Sequence, residues 1–239
     1  MISFMVVNDN SRRRKIFIMN NETNNSDSGI KCVILNDEKE IHLNDKNDDI
    51  FLSIVSDGKI LTTTPILYPS RGYADGALFL SPAQTYLMFA YYSGQSEEAF
   101  TLFRIANNKL EIVFESPYLG GEIASYCFSK DEKILIQGLP SMCDEWWQPW
   151  LDGDAEKDEK GNLFFDFGVI NILDIEKGAM SKHIIRIYPM SDWQPIKESY
   201  NPFMSPEIIN ANVLKISMPW GDEMLGFPLE NTICFWINR

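Results

Sequence analysis

Ala77-Leu-Phe-Leu-Ser81-Pro-Ala-Gln-Thr-Tyr-Leu-Met-Phe89 returns downstream as Ser125-Tyr-Cys-Phe-Ser129-Lys-Asp-Glu-Lys-Ile-Leu-Ile-Gln137, with the two serines 48 positions apart, at 81 and 129. Each copy is an apolar run, a serine, a polar turn and a second apolar run, which reads as two short strands about a tight turn. Two further apolar runs follow each copy, at 100–105 and 110–114 after the first and at 167–175 and 183–188 after the second. A four-stranded antiparallel unit recurring in the high forties therefore organises the chain between residues 76 and 188.

Outward from this repeat the same strand-and-turn alternation continues. Residues 2–7 and 15–19 read as an N-terminal hairpin around Asn8-Asp9-Asn10-Ser11, with Arg12, Arg13, Arg14 and Lys15 as the one basic cluster. Residues 31–35 and 40–43 flank Asn36-Asp37-Glu38-Lys39, and 50–55 and 59–67 flank Ser56-Asp57-Gly58. Asp-Gly between apolar runs signals a hairpin because both residues tolerate positive φ. Val55-Ser56-Asp57-Gly58-Lys59-Ile60-Leu61 echoes the serine pattern, but it lies only 25 positions before Ser81. Tyr86 to Tyr92 is continuously apolar, as an inner strand buried on both faces should be. Residues 190–206 read as loop, and 212–218 and 232–237 read as closing strands. With no long stretch of period 3.6, few helices are expected.

Composition excludes several classes. At 239 residues, with 45% hydrophobic and 13% aromatic side chains, the chain can bury a large core without disulfides or metal. Its net charge of −13 repels phosphate backbones and anionic headgroups, so neither nucleic acid nor membrane is expected as a partner, whereas a basic protein is attracted. Cys32, Cys127, Cys143 and Cys234 show no metal-finger spacing. Cys127 and Cys234 lie in apolar runs, where a buried thiol acts as a small hydrophobe. Reduced thiols, no signal-like start and no long apolar span together predict a cytoplasmic protein.

The first unit passes from its second strand to its third through a short loop, while the second inserts residues 139–164. A loop of that length is commonly functional. It carries Cys143-Asp-Glu-Trp146-Trp147-Gln-Pro149-Trp150-Leu-Asp152-Gly-Asp154-Ala-Glu156-Lys-Asp158-Glu159. Trp146, Trp147 and Trp150, with Asp144 and Glu145, are the candidate binding residues, since Trp dominates interface hot spots and stacks on cations and sugars. Packing of these rings beneath the loop is the competing account. Asp152, Asp154, Glu156 and Asp158 imitate the start of a calcium loop, but Lys157 stands where glycine belongs and Leu163 where glutamate belongs, so a solvated charge run is the simpler account. No metal or other cofactor is expected.

Catalytic motifs are missing. There is no Gly-x-Ser-x-Gly, His-Glu-x-x-His, phosphate-binding loop or dinucleotide fingerprint, and His42 and His183 stand alone in predicted strands.

The two units resemble blades of the WD-repeat β-propellers. Leu80-Ser81-Pro82 and Phe128-Ser129-Lys130-Asp131 with Lys133 look like that family's turn between first and second strands, and Leu173-Asp174-Ile175 with Gly178 looks like its third-strand exit. The resemblance covers residues 77–188 and implies a rigid platform for partners. The fold expectation is one all-β antiparallel domain over 1–239, a partial or small propeller, with a β-sandwich as the alternative. It subdivides into N-terminal hairpins (1–67), blade-like repeats (76–188) and closing strands (190–239). The functional expectation is a non-catalytic module that binds a protein, a basic one on charge, in the manner of an immunity protein or antitoxin. The alternative is a carbohydrate-binding or glycan-active protein using the Trp and acid loop.

Overall fold

The structure, a computed structural model, describes residues 4–5, 17–18, 31–46, 49–66, 76–92, 97–117, 119–120, 124–140, 156–189, 204–218 and 221–237. Among these residues every regular element is a strand, so the all-β, mainly antiparallel expectation holds. β1 (Phe4–Met5) and β2 (Phe17–Ile18) pair as the expected N-terminal hairpin. β3 (Lys31–Ile34), β4 (Glu40–Lys46), β5 (Asp49–Ser56) and β6 (Lys59–Ile66) form a four-stranded meander. The next sheet is β7 (Gly76–Leu80), β8 (Tyr86–Tyr92), β9 (Glu97–Ala106) and β10 (Lys109–Glu115), with β11 (Leu119–Gly120) also on β9. The third runs β12 (Ser125–Phe128), β13 (Ile134–Pro140), β15 (Leu163–Asp174), β16 (Ala179–Pro189) and β20 (Thr232–Ile237), with β14 (Glu156–Lys157) also on β15. β17 (Ser205–Asn210), β18 (Val213–Met218) and β19 (Gly221–Gly226) make the fourth. None of these sheets closes on itself.

The four larger sheets stack in chain order, because the middle ones are apolar on both faces. Alternation along β8 sends Leu87, Phe89 and Tyr91 toward Ile41, Leu52 and Ile54 of the first sheet. Met88 and Ala90 point the other way, toward Leu135 and Leu173 of the third. A further core joins Ile136, Ile170, Ile185 and Ile187 to Leu214, Ile216 and Met218 of the fourth sheet. Three interlayer cores in series distinguish this stack from a two-layer sandwich, which has one. At the third interface Gly138 is required by close approach, since a Cβ there would meet the Met204 carbonyl oxygen at 2.7 Å and Pro206 Cδ at 3.2 Å.

The serine repeat is one turn built twice. The Ser81 N–H donates to the Tyr86 carbonyl (3.0 Å), the Gln84 N–H donates to the Ser81 carbonyl (2.9 Å), and the Tyr86 N–H donates to Ser81 Oγ (2.9 Å). Around Ser129, the Ser129 N–H donates to the Ile134 carbonyl, the Glu132 N–H to the Ser129 carbonyl, and the Ile134 N–H to Ser129 Oγ. Gln84 and Glu132 take left-handed φ values of 61° and 57°. Their side chains then reach back one sheet: Gln84 Oε1 accepts the Asn36 N–H (2.6 Å), and Glu132 Oε1 accepts the Ala83 N–H (2.5 Å). These two bonds pin three successive sheets together at one end.

The pins identify the upstream counterpart of the repeat as Leu35-Asn36-Asp37-Glu38-Lys39, not the 55–61 echo. There the Glu38 N–H donates to the Leu35 carbonyl at φ 64°, as at Gln84 and Glu132. This turn is one residue shorter, closing from the Leu35 N–H to the Lys39 carbonyl (2.7 Å), with a leucine in the serine's place. The 55–61 segment is instead the β5–β6 hairpin, with Asp57 and Gly58 both at positive φ as the Asp-Gly reading required.

The C-terminal third differs most from expectation. Residues 205–206, read as the end of a loop, begin β17, and β19 was not anticipated. β20 leaves the fourth sheet's neighbourhood in sequence and pairs parallel with β16, from Ile184↔Thr232 to Pro189↔Ile237. Short polar strands with interrupted apolar runs conceal both β17 and β19, and a parallel partner far along the chain carries no local signal. Cys234, expected to be buried, is exposed, because alternation along this outer strand turns Ile233 and Ile237 inward and Cys234 and Trp236 out.

Candidate functional site

The residues chosen from sequence divide in two. Trp146, Trp147, Trp150, Asp144, Glu145, Asp152 and Asp154 lie outside the described residues. Glu156 and Asp158 are described. Glu156 is exposed on β14, and Asp158 caps the turn that follows: its Oδ1 accepts the Lys160 and Asn162 N–H groups (2.9 and 2.8 Å) and its Oδ2 accepts Asn162 Nδ2 (2.9 Å). The Asn162 amide and these backbone donors hold the Asp158 carboxyl below the usual carboxylate range. The acid therefore serves the turn with both oxygens.

Both feet of the insertion stand on β15. β13 ends with Pro140 opposite Gly168, and β14 returns the chain opposite Leu163 and Phe164. At that foot an aromatic cluster surfaces. The Arg186 guanidinium lies 3.7 Å from the centre of the Phe164 ring, Phe164 is tilted against Tyr188 at 5.8 Å, and Tyr188 stacks on Trp236 at 4.3 Å and 13°. Cross-strand register creates it, because Asp166 faces Arg186 and Tyr188 faces Trp236. Asp166 grips Arg186 at Nε (2.8 Å) and Nη2 (3.4 Å), which fixes the cation over the ring. Phe164 and Tyr188 are buried, whereas Trp236 is 57% exposed on the outer strand of the sheet. Strand alternation in Thr232-Ile-Cys-Phe-Trp-Ile237 already turns Trp236 away from the inward isoleucines, so periodicity could have found it. Its neighbours across the sheet, 48 and 72 positions upstream at Tyr188 and Phe164, have no such signal.

The two histidines have partners that sequence could not supply. His183 Nδ1 lies 2.8 Å from the Glu230 carbonyl, which only accepts, so this nitrogen carries a proton, and Nε2 lies 2.9 Å from Ser181 Oγ. The imidazole thus ties β16 to the residue leading into β20, beside the Ile184 N–H bond to the Asn231 carbonyl. His42 Nε2 lies 2.5 Å from Glu40 Oε2 on β4, and Cys32, its register partner on β3, completes a group whose three donor atoms lie within 4.8 Å of one another.

Among the described residues no helix is long and apolar enough to cross a membrane. Comparison with models of protein families and with curated proteins finds no match to this chain.

Proposed function

We propose that this chain is a non-catalytic protein-binding module, built as a partial or small propeller of blade-like repeats, working in the cytoplasm on a basic partner. The observation that carries this reading is the Trp236–Tyr188 stack at the foot of the insertion, with Trp236 more than half exposed. A large ring held flat by a buried neighbour loses little freedom on contact, and such rings dominate interface energetics. The net charge of −13 steers basic proteins toward the surface, and the fixed Arg186–Asp166 pair beside the stack adds directional polar groups. Trp146, Trp147 and Trp150, with Asp144 and Glu145, lie in the sequence between β13 and β14, and we count them as further candidate binding residues. The free thiols at Cys32, Cys127 and Cys234 accord with a reducing compartment. An immunity or antitoxin-like role against a basic toxin is the version that charge favours.

The same stack supports one second reading, a carbohydrate-binding or glycan-active protein, because an exposed indole flanked by a fixed ion pair also suits a sugar ring. One experiment separates the two. Recovery from native cell extract of a single basic protein, lost at raised salt and lost with Trp236→Ala, supports the protein-binding reading. Retention on a polysaccharide matrix, insensitive to salt, with no protein recovered, replaces it with the second.

A further inference from the structure

We propose that Cys32, Glu40 and His42 form a binding site for a transition-metal dication, with Zn²⁺ the ion that its one sulfur, one nitrogen and one oxygen donor suit. The site follows from hairpin register. Ile34 faces Glu40 and Cys32 faces His42, so the three alternate positions fall on the sheet face opposite Ile41, which is fully buried. Glu40 and His42 are half-buried and Cys32 is exposed, so an ion can reach all three.

Small side-chain movements bring the three donor atoms to the spacing of a tetrahedral ion. Ligands bonded to Zn²⁺ at its usual lengths stand about 3.5 Å apart. The three donor atoms lie within 4.8 Å of one another, and His42 Nε2 and Glu40 Oε2 lie at 2.5 Å. Side-chain rotation brings the sulfur in and parts the His42 and Glu40 atoms by about 1 Å, the ion replacing the hydrogen bond between them. Three protein ligands leave a fourth position for water. Calcium and magnesium are disfavoured because they take oxygen donors almost exclusively.

A thiol beside an imidazole and a carboxylate also resembles a nucleophile with its base. The hydrogen bonds argue against that use: His42 Nε2 is paired with Glu40 Oε2, and Cys32 Sγ donates to the Val33 carbonyl (3.8 Å), so the base does not hold the thiol. An ion drawn between the three donor atoms engages all of them at once, so ligation is the use their geometry favours. The ion would also pin the four-residue edge strand β3 to β4.

The test is titration of the full-length, metal-free, reduced protein with Co²⁺, followed by Zn²⁺. The expected result is one equivalent of Co²⁺ with a thiolate-to-cobalt charge-transfer band, displaced by Zn²⁺. Zn²⁺ at a hundredfold excess over Kd should also raise Tm by about 5–10 °C. Cys32→Ser should abolish the band. His42→Ala should weaken binding by more than the roughly 10–100-fold typical of losing an outer partner of a ligand. Cys234→Ser, at an exposed thiol elsewhere, should change nothing. Glu40→Gln, which keeps shape and removes a ligand charge, serves the same purpose as Cys32→Ser should that variant fail to fold. No charge-transfer band, or a band that survives Cys32→Ser or Glu40→Gln with undiminished affinity, overturns the site.

Discussion

Replacing Glu132 by alanine removes the pin between the second and third sheets. Glu132 is 7% exposed and its Oε1 accepts the Ala83 N–H at 2.5 Å. A hydrogen bond to a charged group contributes about 1.5–3 kcal/mol. The residue keeps φ near 57° in either form, so backbone strain is common to both and cancels. Glu132→Ala should therefore destabilise by about 2–3 kcal/mol, lowering Tm by about 4–12 °C for a chain of this size. Glu132→Gln, which keeps an acceptor without the charge, should lose only about 1 kcal/mol. Glu132→Gly loses the same pin but relieves the left-handed strain, so it should fall between the other two. Urea unfolding with the slope unchanged measures all three. If Glu132→Ala stays within about 0.5 kcal/mol of wild type, the range expected for an ordinary surface substitution, the inter-sheet pin has no energetic role and the reasoning fails.

Two further outcomes follow from the same packing and turn chemistry. Gly138→Ala should destabilise by about 1–3 kcal/mol through overpacking, since the added methyl meets main chain at Met204 and not a flexible side chain; thermal unfolding checks it, and a neutral result would mean the third and fourth sheets separate more easily than their shared core implies. Asp131 is held below its ordinary value of 3.8, first by Ser129, as is Asp174, first by Lys177, so both carry less proton in the folded state. The stability they confer is complete above that ordinary value and lost as pH falls through the lowered ones; urea midpoints measured at descending pH should decline through the acid range, and less steeply in Asp131→Asn.

How far sequence reached depended on whether a feature is local. Strands 86–92, 100–105 and 110–114 and the Asp57-Gly58 turn follow from runs and turn residues a few positions apart, and the structure has them, the second and third longer by one to three residues at an end. The first copy of the repeat is hidden in the sequence because Leu35 replaces the serine, while the feature shared by all three, a left-handed residue at Glu38, Gln84 and Glu132, is a backbone property. Trp236 draws its role from Tyr188, on a strand that pairs with its own in parallel, and such a partner leaves no local signal. Cys32 and His42 lay only ten positions apart, and counting outward from the 35–39 turn pairs them. Spacing in the chain looked unremarkable because a hairpin, unlike a metal finger, brings donors together across the strands.

The central claim is that the aromatic stack at the foot of the insertion is the binding face, and Trp236→Ala tests it most directly. Loss of one stacked pair at an exposed position should cost the fold only about 0.5–1.5 kcal/mol. At an interface hot spot it should cost partner binding at least about 2 kcal/mol, roughly thirtyfold in Kd. The measurement is the Kd of the captured basic partner for wild type and Trp236→Ala, with the Tm of each. A thirtyfold or greater loss of affinity with Tm lowered by no more than about 6 °C is the predicted result. Unchanged affinity in a folded variant would contradict it.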